Sequence, residues 1–345
     1  MGGAETLLVN SLAPGGLQEH ADNILVYFQG TSALESRIDE RVKIVCLNYT
    51  GLTSLPRVLR QIRQLIKEQQ ADIVHSHLNP AGFYTHLACP AAIPQVHTLH
   101  TTYSMDAETP RFKLFLEKHF YFMRKSCNII LLSDFTQDDF LKAVPFSGRS
   151  FVLNNFVPDR FFDNTSAPYN ASDKNLKLLA AGTLKELKNF EYLLDVFSYL
   201  KDEPVSLDIY GGGDKSKYEE IIQRNGLNVR MMGQIDDLAA VLPGYHLFIM
   251  PSKFEGFPLT VFEAMASGLP LLLSDIPPLR SIVKEHAIYF DLQNAEKLAD
   301  QIRSILHQQL SVAEMAISAK SYAAETVKRE IYISKLLDIY GQLKP

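Results

Sequence analysis

Cysteine is scarce in this chain of 345 residues, which has only three. Cys46, Cys89 and Cys127 lie far apart in the sequence, and no two of them form a Cys-x-x-Cys pair. A sparse, odd count argues against a disulfide framework and is typical of proteins from a reducing compartment. We therefore expect all three to be small buried hydrophobic side chains.

Long apolar runs and an excess of basic residues are also absent. No stretch of about 18 consecutive apolar residues occurs, so no membrane-spanning helix is expected. The first five residues, MGGAE, lack the basic start and apolar core of a signal peptide, so we expect a cytoplasmic protein. A formal net charge of −5 gives no support for nucleic acid as the main partner, because duplex-binding proteins usually carry basic faces.

The apolar fraction of 46% and charged fraction of 21% are those of a globular protein, and the length predicts two domains. Short apolar runs alternate with segments of helical periodicity, such as Leu55–Gln69. This alternation predicts parallel sheets covered on both faces, and therefore an α/β fold of two Rossmann-like, doubly wound domains. The runs are 23–28, 42–47, 72–75, 95–99 and 128–132 in the first series, and 176–181, 206–210, 229–232, 247–250, 270–273 and 287–290 in the second.

The predicted domain boundaries follow changes in composition. Residues 1–156 form the N-terminal domain, and the polar segment 157–174 is interpreted as a linker. Residues 175–325 form the C-terminal domain. Residues 326–345 are expected to form a last helix, for which packing back on the N-terminal domain is one arrangement.

A first strand is missing from the N-terminal domain. The first helical segment begins directly after Gly2 and Gly3, and no apolar run precedes it. The first strand of a doubly wound domain is central, so its loss leaves unpaired strand edges in the core. We therefore predict that Met1 is an internal methionine and that the natural start lies upstream; a rearranged or damaged sheet is the alternative.

The segment Pro251–Asp275 is the most informative about chemistry. A strand is followed by a loop with Glu255 and Gly256, a helix that opens near Pro258 and ends at Gly268, and a second strand. In open α/β folds, ligands bind at the carboxyl ends of such strands.

The start of this helix is a predicted phosphate site, because the free amides of Leu259 and Thr260 suit an anion. Glu263 follows Glu255 by eight positions, which allows both carboxylates to face one crevice. Carboxylates accept hydrogen bonds from the vicinal hydroxyls of a ribose or pyranose. A solvated helix face is the alternative for Glu263, but its flanking residues are apolar.

Residues 255–270, EGFPLTVFEAMASGLP, resemble the Glu-x7-Glu motif of the family-4 (group 1) glycosyltransferases. The resemblance covers almost the whole chain and implies the GT-B fold, in which two Rossmann-like domains face each other across a cleft. In that family the first glutamate typically contacts the donor sugar and the second the ribose. The resemblance gives these roles to Glu255 and Glu263.

Further donor contacts follow from the same resemblance. Residues 181–189, AGTLKELKN, resemble the family's Gly-Arg-Leu-x3-Lys-Asn segment, whose arginine and lysine grip the diphosphate. Lys188 matches the lysine, but Thr183 replaces the arginine, so one fixed positive charge is lost unless Lys185 compensates. Gly212 lies in a turn that resembles the family's glycine-rich turn near the nucleotide, although a simple tight turn explains it equally well.

The N-terminal half carries weaker resemblances. Gly2 and Gly3 resemble a loop that faces the donor. His100 matches the histidine of the family's Thr-x-His element near the reacting sugar, and His77 ends another strand. Structural histidines are the alternative for both.

No metal and no other cofactor are expected, apart from the nucleotide-sugar co-substrate. The chain has no Asp-x-Asp pair, and its strand-end histidines have no carboxylate at ligand-like spacing. Lys188 and helix amides would then neutralise the diphosphate.

Segment Arg111–Lys125 mixes five basic residues with five aromatic ones. It could contact an anionic membrane surface or a lipid-linked acceptor, which would place the protein peripherally on the inner membrane face. An interdomain or core helix is the alternative.

The resemblance implies a retaining glycosyltransferase that moves a hexose-type sugar to a glycan or lipid-linked acceptor in cell-surface polysaccharide synthesis. Two alternatives stay open: a non-catalytic nucleotide-sugar-binding subunit, suggested by Thr183 and the missing strand, and a nucleotide-sugar epimerase on the same fold.

Overall fold

The computed structural model describes residues 3–30, 35–78, 81–100, 102, 127–166, 169 and 173–344. Gly2 and the segment Arg111–Lys125 lie outside these ranges. The chain divides into two units: unit 1 comprises Met1–Phe156 and Arg329–Pro345, and unit 2 comprises Val157–Lys328. No helix in the described part of the chain is long and apolar enough to cross a membrane.

Unit 2 contains a continuous parallel sheet of six strands in the order β12-β11-β10-β7-β8-β9. The central strands are apolar on both faces, and every residue of β10 is buried, as a parallel sheet covered on both sides requires. The strands are β7 (Leu176–Ala181), β8 (Val205–Tyr210), β9 (Val229–Gly233), β10 (Leu247–Met250), β11 (Leu271–Ser274) and β12 (Ile288–Phe290).

Helices cover both faces of this sheet and form two separate apolar cores with it. Local signals fix several helix ends: Gly226 adopts a left-handed conformation after one helix, and the Asn294 side chain accepts a hydrogen bond from the Lys297 amide at the start of another. The helices are α5 (Phe190–Ser198), α6 (Ser216–Asn225), α7 (Leu259–Ala266), α8 (Pro277–Val283), α9 (Ala295–Leu306) and α10 (Ala313–Thr326).

The strands described in unit 1 form two separate parallel sheets, β1-β2 and β3-β4-β5-β6. The first element described is a helix, and no strand precedes it within the described residues. The strands are β1 (Ile24–Tyr27), β2 (Lys43–Cys46), β3 (Val74–His77), β4 (Gln95–Leu99), β5 (Cys127–Leu131) and β6 (Ser150–Val152). The α-helices among the described residues before residue 157 are α1 (Gly3–Ser11), α2 (Leu55–Glu68), α3 (Ala81–Ala88) and α4 (Asp134–Ala143).

The C-terminal helix α11 (Arg329–Leu343) is part of unit 1. Its apolar residues recur every three or four positions and therefore line one face. The Tyr332 ring packs 5.0 Å from the Phe156 ring. The buried residues that α11 shares with α1 in one core are Leu7, Val9, Tyr332, Ile333, Leu336, Ile339 and Leu343.

Two expectations need correction. The interpretation of 157–174 as a linker is wrong at its start, because Val157 and Phe161 are fully buried in the core of unit 2 and the Val157 amide donates to the Val327 carbonyl (2.8 Å). The polar residues that follow them obscured these apolar positions in the sequence. Of the three free cysteines, only Cys127 is buried; Cys46 and Cys89 are partly exposed.

Candidate functional site

The loops after β7, β8 and β9 are joined by backbone hydrogen bonds at the carboxyl end of the unit 2 sheet. The Gly182 amide donates to the Tyr210 carbonyl (2.9 Å), and the Gly211 amide donates to the Gly233 carbonyl (2.8 Å). The Leu184 amide donates to the Gly212 carbonyl (2.9 Å). These bonds hold the three loops together as one layer.

Close backbone approach explains the glycine-rich turn after β8. A Cβ atom on Gly211 would lie 1.8 Å from the Gly182 carbonyl oxygen, so no larger residue fits there. Gly213 has φ +134° and packs against Leu184. Gly212 faces Gln234, whose Oε1 would lie 3.0 Å from an added Cβ. Packing of the loop layer is therefore a sufficient reason for these glycines.

A second set of contacts brings the loop after β10 against the loop after β7. The Lys253 amide donates to the Leu187 carbonyl (2.8 Å), and the Asn189 side-chain amide donates to the Pro251 carbonyl (3.2 Å). At the start of α7, the Thr260 hydroxyl lies 3.5 Å from the Ala181 carbonyl oxygen. Residues far apart in the sequence thereby meet in one site.

Lys188 and Glu255 contact each other directly in this site. Lys188 Nζ lies 2.7 Å from Glu255 Oε1, and their side chains are only 22% and 8% exposed. The Ser252 hydroxyl donates to the same carboxylate oxygen over 2.5 Å. Sequence reasoning placed these residues on different parts of one ligand, but did not predict the ion pair or the role of Ser252.

The start of α7 offers fewer free amides than predicted. The Leu259 amide donates to the Phe257 carbonyl (3.0 Å), because the chain makes a tight turn ahead of the helix. The prediction of a free amide at Leu259 is therefore wrong. Within the described ranges the Thr260 amide meets no acceptor, so it remains available to an anion together with the positive end of the helix dipole.

Glu263 lies on the same face of α7 as Thr260 and Ser267, since these residues are three and four positions away. Its neighbours Phe262 and Ala264 are fully buried, while Glu263 itself keeps part of its surface exposed. Burial raises the pKa of the Glu263 carboxyl to about 7, and the charge of Arg160 opposes this rise. In the described part of the chain, the Glu263 side chain has no hydrogen-bond partner.

Arg160 is a residue of this region that sequence reasoning missed. It lies in the short 3-10 helix Asp159–Phe161, which reaches the same face of α7 because the Ser267 hydroxyl donates to the Phe161 carbonyl (3.3 Å). Arg160 Nε lies 3.7 Å from Asp237 Oδ1. No motif marks Arg160, since its segment resembled a linker.

Thr183 and Gly256 occupy the two loops that flank Lys188 and Glu255. Thr183 is exposed and its carbonyl accepts a hydrogen bond from the Lys185 amide (2.7 Å). Gly256 separates Glu255 from Phe257, whose ring stacks on Phe262 at 5.0 Å. Lys185 is exposed.

Unit 1 has its own cluster of polar side chains, at the ends of β3 and β4. His77 Nδ1 lies 3.1 Å from His100 Nε2, and the His75 and His77 rings stack at 4.1 Å. Ser76 Oγ lies 3.0 Å from His97 Nδ1. Gly3, by contrast, is the first residue of α1.

Burial keeps these four imidazoles neutral. It lowers the pKa of His75 and His97 to about 3 and that of His100 to about 4, and it lowers the pKa of His77 well below its usual value. Neutral imidazoles can each donate one hydrogen bond and accept another. The described residues include no group of three or more His, Cys, Asp or Glu side chains that could hold a metal ion.

Comparison with known families divides the chain into two matched regions. Residues 1–161 match the family Glycosyltransferase Family 4, and residues 161–325 match the family Glycosyl transferases group 1.

Proteins that are similar to the chain in sequence are distant relatives. A glycosyltransferase of Haemophilus influenzae is 24% identical over 85% of each chain. The UDP-Gal:alpha-D-GlcNAc-diphosphoundecaprenol alpha-1,3-galactosyltransferase of Escherichia coli is 23% identical, over 70% of this chain and 67% of that protein. The GtfA subunit of the UDP-N-acetylglucosamine--peptide N-acetylglucosaminyltransferase of Streptococcus agalactiae is 38% identical over 109 residues, but the match spans only 21% of its length.

Solved structures share the fold over almost the whole chain. A glycosyltransferase from Rickettsia africae superposes with a TM-score of 0.82 at 17% identity, covering 99% of this chain and 95% of that one. HepE from Anabaena, in complex with UDP and glucose, superposes with a TM-score of 0.78 at 18% identity, covering 99% and 96%. The fold is therefore GT-B, with two Rossmann-like domains.

Proposed function

The chain belongs to the family-4, group 1 glycosyltransferases, and we propose that it is a retaining enzyme that transfers a hexose-type sugar from a nucleotide-diphosphate donor. The acceptor would be a glycan or a lipid-linked glycan in the synthesis of a cell-surface polysaccharide. The observation that carries the proposal is the Lys188–Glu255 ion pair (2.7 Å) beside the available Thr260 amide.

The diphosphate of the donor would bind Lys188 and the Thr260 amide. Lys188 is a partly buried cation whose partner is a single carboxylate, so an incoming diphosphate can replace that carboxylate with a stronger charge-assisted contact. The positive end of the α7 dipole adds to the same field. Both groups would stabilise the negative charge that develops on the leaving phosphate, without need of a divalent cation.

Release of Lys188 would leave Glu255 free to bind the sugar. Its Oε1 atom accepts hydrogen bonds from both Lys188 and Ser252. Once Lys188 turns to the diphosphate, the carboxylate keeps the Ser252 hydrogen bond and gains the capacity to accept from sugar hydroxyls. Donor binding and sugar orientation would thus be coupled through one ion pair.

Glu263 would bind the two hydroxyls of the ribose. It is the carboxylate of this region that lacks a hydrogen-bond partner among the described residues, and its burial penalises the ionised form. Two ribose hydroxyls would donate to it and lower that penalty. The polar face of α7 would then hold both ends of the nucleotide, with Thr260 at the phosphate and Glu263 at the ribose.

The reaction would proceed with retention of configuration. The bond between the anomeric carbon and the phosphate oxygen breaks, and the acceptor oxygen attacks from the same face while its proton passes to the leaving phosphate. No nucleophile from the protein is needed in this scheme. His100 would contact the reacting sugar as a neutral hydrogen-bonding group, since burial lowers its pKa to about 4.

Thermal shift with UDP, GDP and ADP sugars tests the donor site, because a ligand that binds only the folded state raises the melting temperature. UDP sugars are the first candidates, since HepE was crystallised with UDP. Glu263→Ala should abolish the shift, while Glu314→Ala, a change at an exposed position of α10, should preserve it. A shift that survives in Glu263→Ala would contradict the ribose assignment.

A transfer assay with the matching donor separates the remaining functions. Nucleotide release that depends on an acceptor, and that persists in EDTA, supports the metal-independent transferase. The exposed Thr183 at the family's arginine position favours the binding subunit as the second candidate. Donor binding without any turnover would support that role, and a changed sugar on intact donor would support an epimerase.

A further inference from the structure

We propose that His77 is a positioning residue for His100: it engages Nε2 of His100, couples the tautomers of the two rings and leaves Nδ1 of His100 for the ligand. The inference rests on the proposed function for the role of His100 in transfer, but its geometric part can be tested without activity. It follows from the 3.1 Å contact between His77 Nδ1 and His100 Nε2.

The contact occupies one of the two nitrogens of His100. A hydrogen bond between two neutral imidazoles needs one proton, so one nitrogen donates and the other accepts. Whichever way the proton lies, His100 Nε2 is engaged and the tautomer of His100 is coupled to that of His77. His100 Nδ1 has no partner among the described residues, so it is the nitrogen left for a substrate hydroxyl.

His77 is itself held in place by a second layer of contacts. Its ring stacks on His75, which lies 2.7 Å from Tyr340 Oη through Nδ1 and 2.7 Å from Thr98 Oγ1 through Nε2. Tyr340 comes from α11, and burial raises the pKa of its hydroxyl, so the hydroxyl stays protonated. The C-terminal helix thereby fixes the ring on which His77 stacks.

The contact between His77 and His100 is favourable only while the two imidazoles are not both protonated. If His77 and His100 were both protonated, both facing nitrogens would be donors and the contact would be repulsive. Desolvation lowers the pKa of both imidazoles, which prevents this at neutral pH. The His77–His100 pair therefore acts through its hydrogen bond and not as an acid.

Three variants separate the hydrogen bond from the ring packing. His77→Phe keeps a ring against His75 but has no nitrogen. His77→Asn places an amide close to the position of Nδ1, whereas His77→Gln places the amide one methylene further out. We expect His77→Phe and His77→Gln to lower kcat about 10-fold, the effect of one lost hydrogen bond, and His77→Asn to lower it much less.

The affinity for UDP should stay within about 2-fold of the wild type in all three variants, because the proposed nucleotide contacts belong to unit 2. A purely structural role would instead lower the melting temperature and affect all three variants alike. Equal kcat values in wild type and His77→Phe would overturn the proposal. If His77→Phe fails to fold, the comparison of the Asn and Gln variants still decides it.

Nitrogen NMR of protein labelled with 15N at histidine reads the tautomer directly. The populations of the two neutral His100 tautomers should change in His77→Phe, which removes the coupled nitrogen, and should change less in His77→Asn. A His100 tautomer population that is the same in the wild type and in His77→Phe would overturn the proposal. If the wild type transfers no sugar, the proposed function fails, while this measurement still tests whether His77 positions His100.

Discussion

The two units hold polar side chains at strand ends by different interactions. In unit 2 the sheet is continuous, β10 is wholly buried, and the site is built from charged residues that pair across loops. In unit 1 the described strands form two sheets, β1 is partly exposed along its length, and the polar cluster consists of neutral imidazoles. Charge therefore governs one site and desolvation the other, so the two units should respond differently to mutation and to pH.

Removal of the Lys188 cation should have the largest effect. Lys188→Met should lower kcat/KM about 100- to 1000-fold, the loss typical for one group that stabilises charge in the transition state. It also leaves Glu255 as a buried carboxylate without its cation, which should lower the free energy of unfolding by about 3–5 kcal/mol. Steady-state kinetics and urea unfolding measure the two effects.

A double variant separates these two effects of Lys188. Lys188→Met combined with Glu255→Gln removes both charges and should recover most of the lost stability, but no activity. Lys201→Met, at an exposed position before β8, is the matched control and should be close to wild type in both measurements. Recovery of activity in the double variant would show that Lys188 acts only on folding.

Mild acid should destabilise unit 1 before unit 2. The folded-state pKa of His100, about 4, lies below its ordinary value of 6.5, so the unfolded chain takes up a proton first. Its contribution to stability is complete above pH 6.5 and is lost as the pH falls towards 4. At about 1.4 kcal/mol per pKa unit, His100 alone accounts for on the order of 3 kcal/mol.

Hydrogen exchange with mass spectrometry at pH 7.5 and pH 5, corrected for intrinsic rates, tests this order of unfolding. Amides of β4 and β5 should lose protection at the lower pH, while those of β7 and β10 keep it. Replacement of the exposed His20 by Gln should leave the difference unchanged. Equal losses of amide protection in both units would contradict the expected difference in their response to pH.

The sequence was sufficient for the fold because buried parallel strands appear as apolar runs. The run 176–181 coincides with β7, and 247–250 coincides with β10. The strand β6 was missed, since its first residue, Ser150, is polar. The equally short β12 was predicted, because it lies within the apolar run 287–290. Local patterns therefore predicted the elements that coincide with an apolar run, and they missed one that begins with a polar residue.

Local sequence patterns could not predict the contacts within the sites, because these contacts join residues that are far apart in the chain. Lys188 and Glu255 are 67 positions apart, and His75 and Tyr340 are 265 positions apart. The sequence motifs identified Glu255 and Lys188 as candidates, but only the packing of the loops shows that they form an ion pair. Arg160 carries no motif, and its place beside α7 depends on the tertiary contact between Ser267 and Phe161.

Replacement of Glu263 by a neutral residue should weaken donor binding and increase the stability of unit 2. The pKa of Glu263 is raised to about 7, so the folded state holds its proton more tightly and stability falls as the pH rises from 4.5 to 7. Glu263→Gln should therefore gain on the order of 1–2 kcal/mol at pH 8, discounted for its partial exposure, and little at pH 5. Thermal unfolding at both pH values measures the gain, and a variant that is less stable than wild type at pH 8 would contradict the assignment.

The smallest expected effect comes from Arg160, whose side chain is 48% exposed to solvent. Its guanidinium lowers the pKa of Glu263, so Arg160→Gln should raise that pKa further and leave less ionised carboxylate at pH 7. Exposed charge pairs contribute below about 1 kcal/mol, which corresponds to a 2- to 5-fold rise in the KM for the donor. The rise should shrink at pH 8.5, and Arg160→Lys should restore much of the loss. Arg224→Gln, on the exposed face of α6, is the control. A KM change that is independent of pH would mean that Arg160 contacts the donor itself, and not that it acts through Glu263.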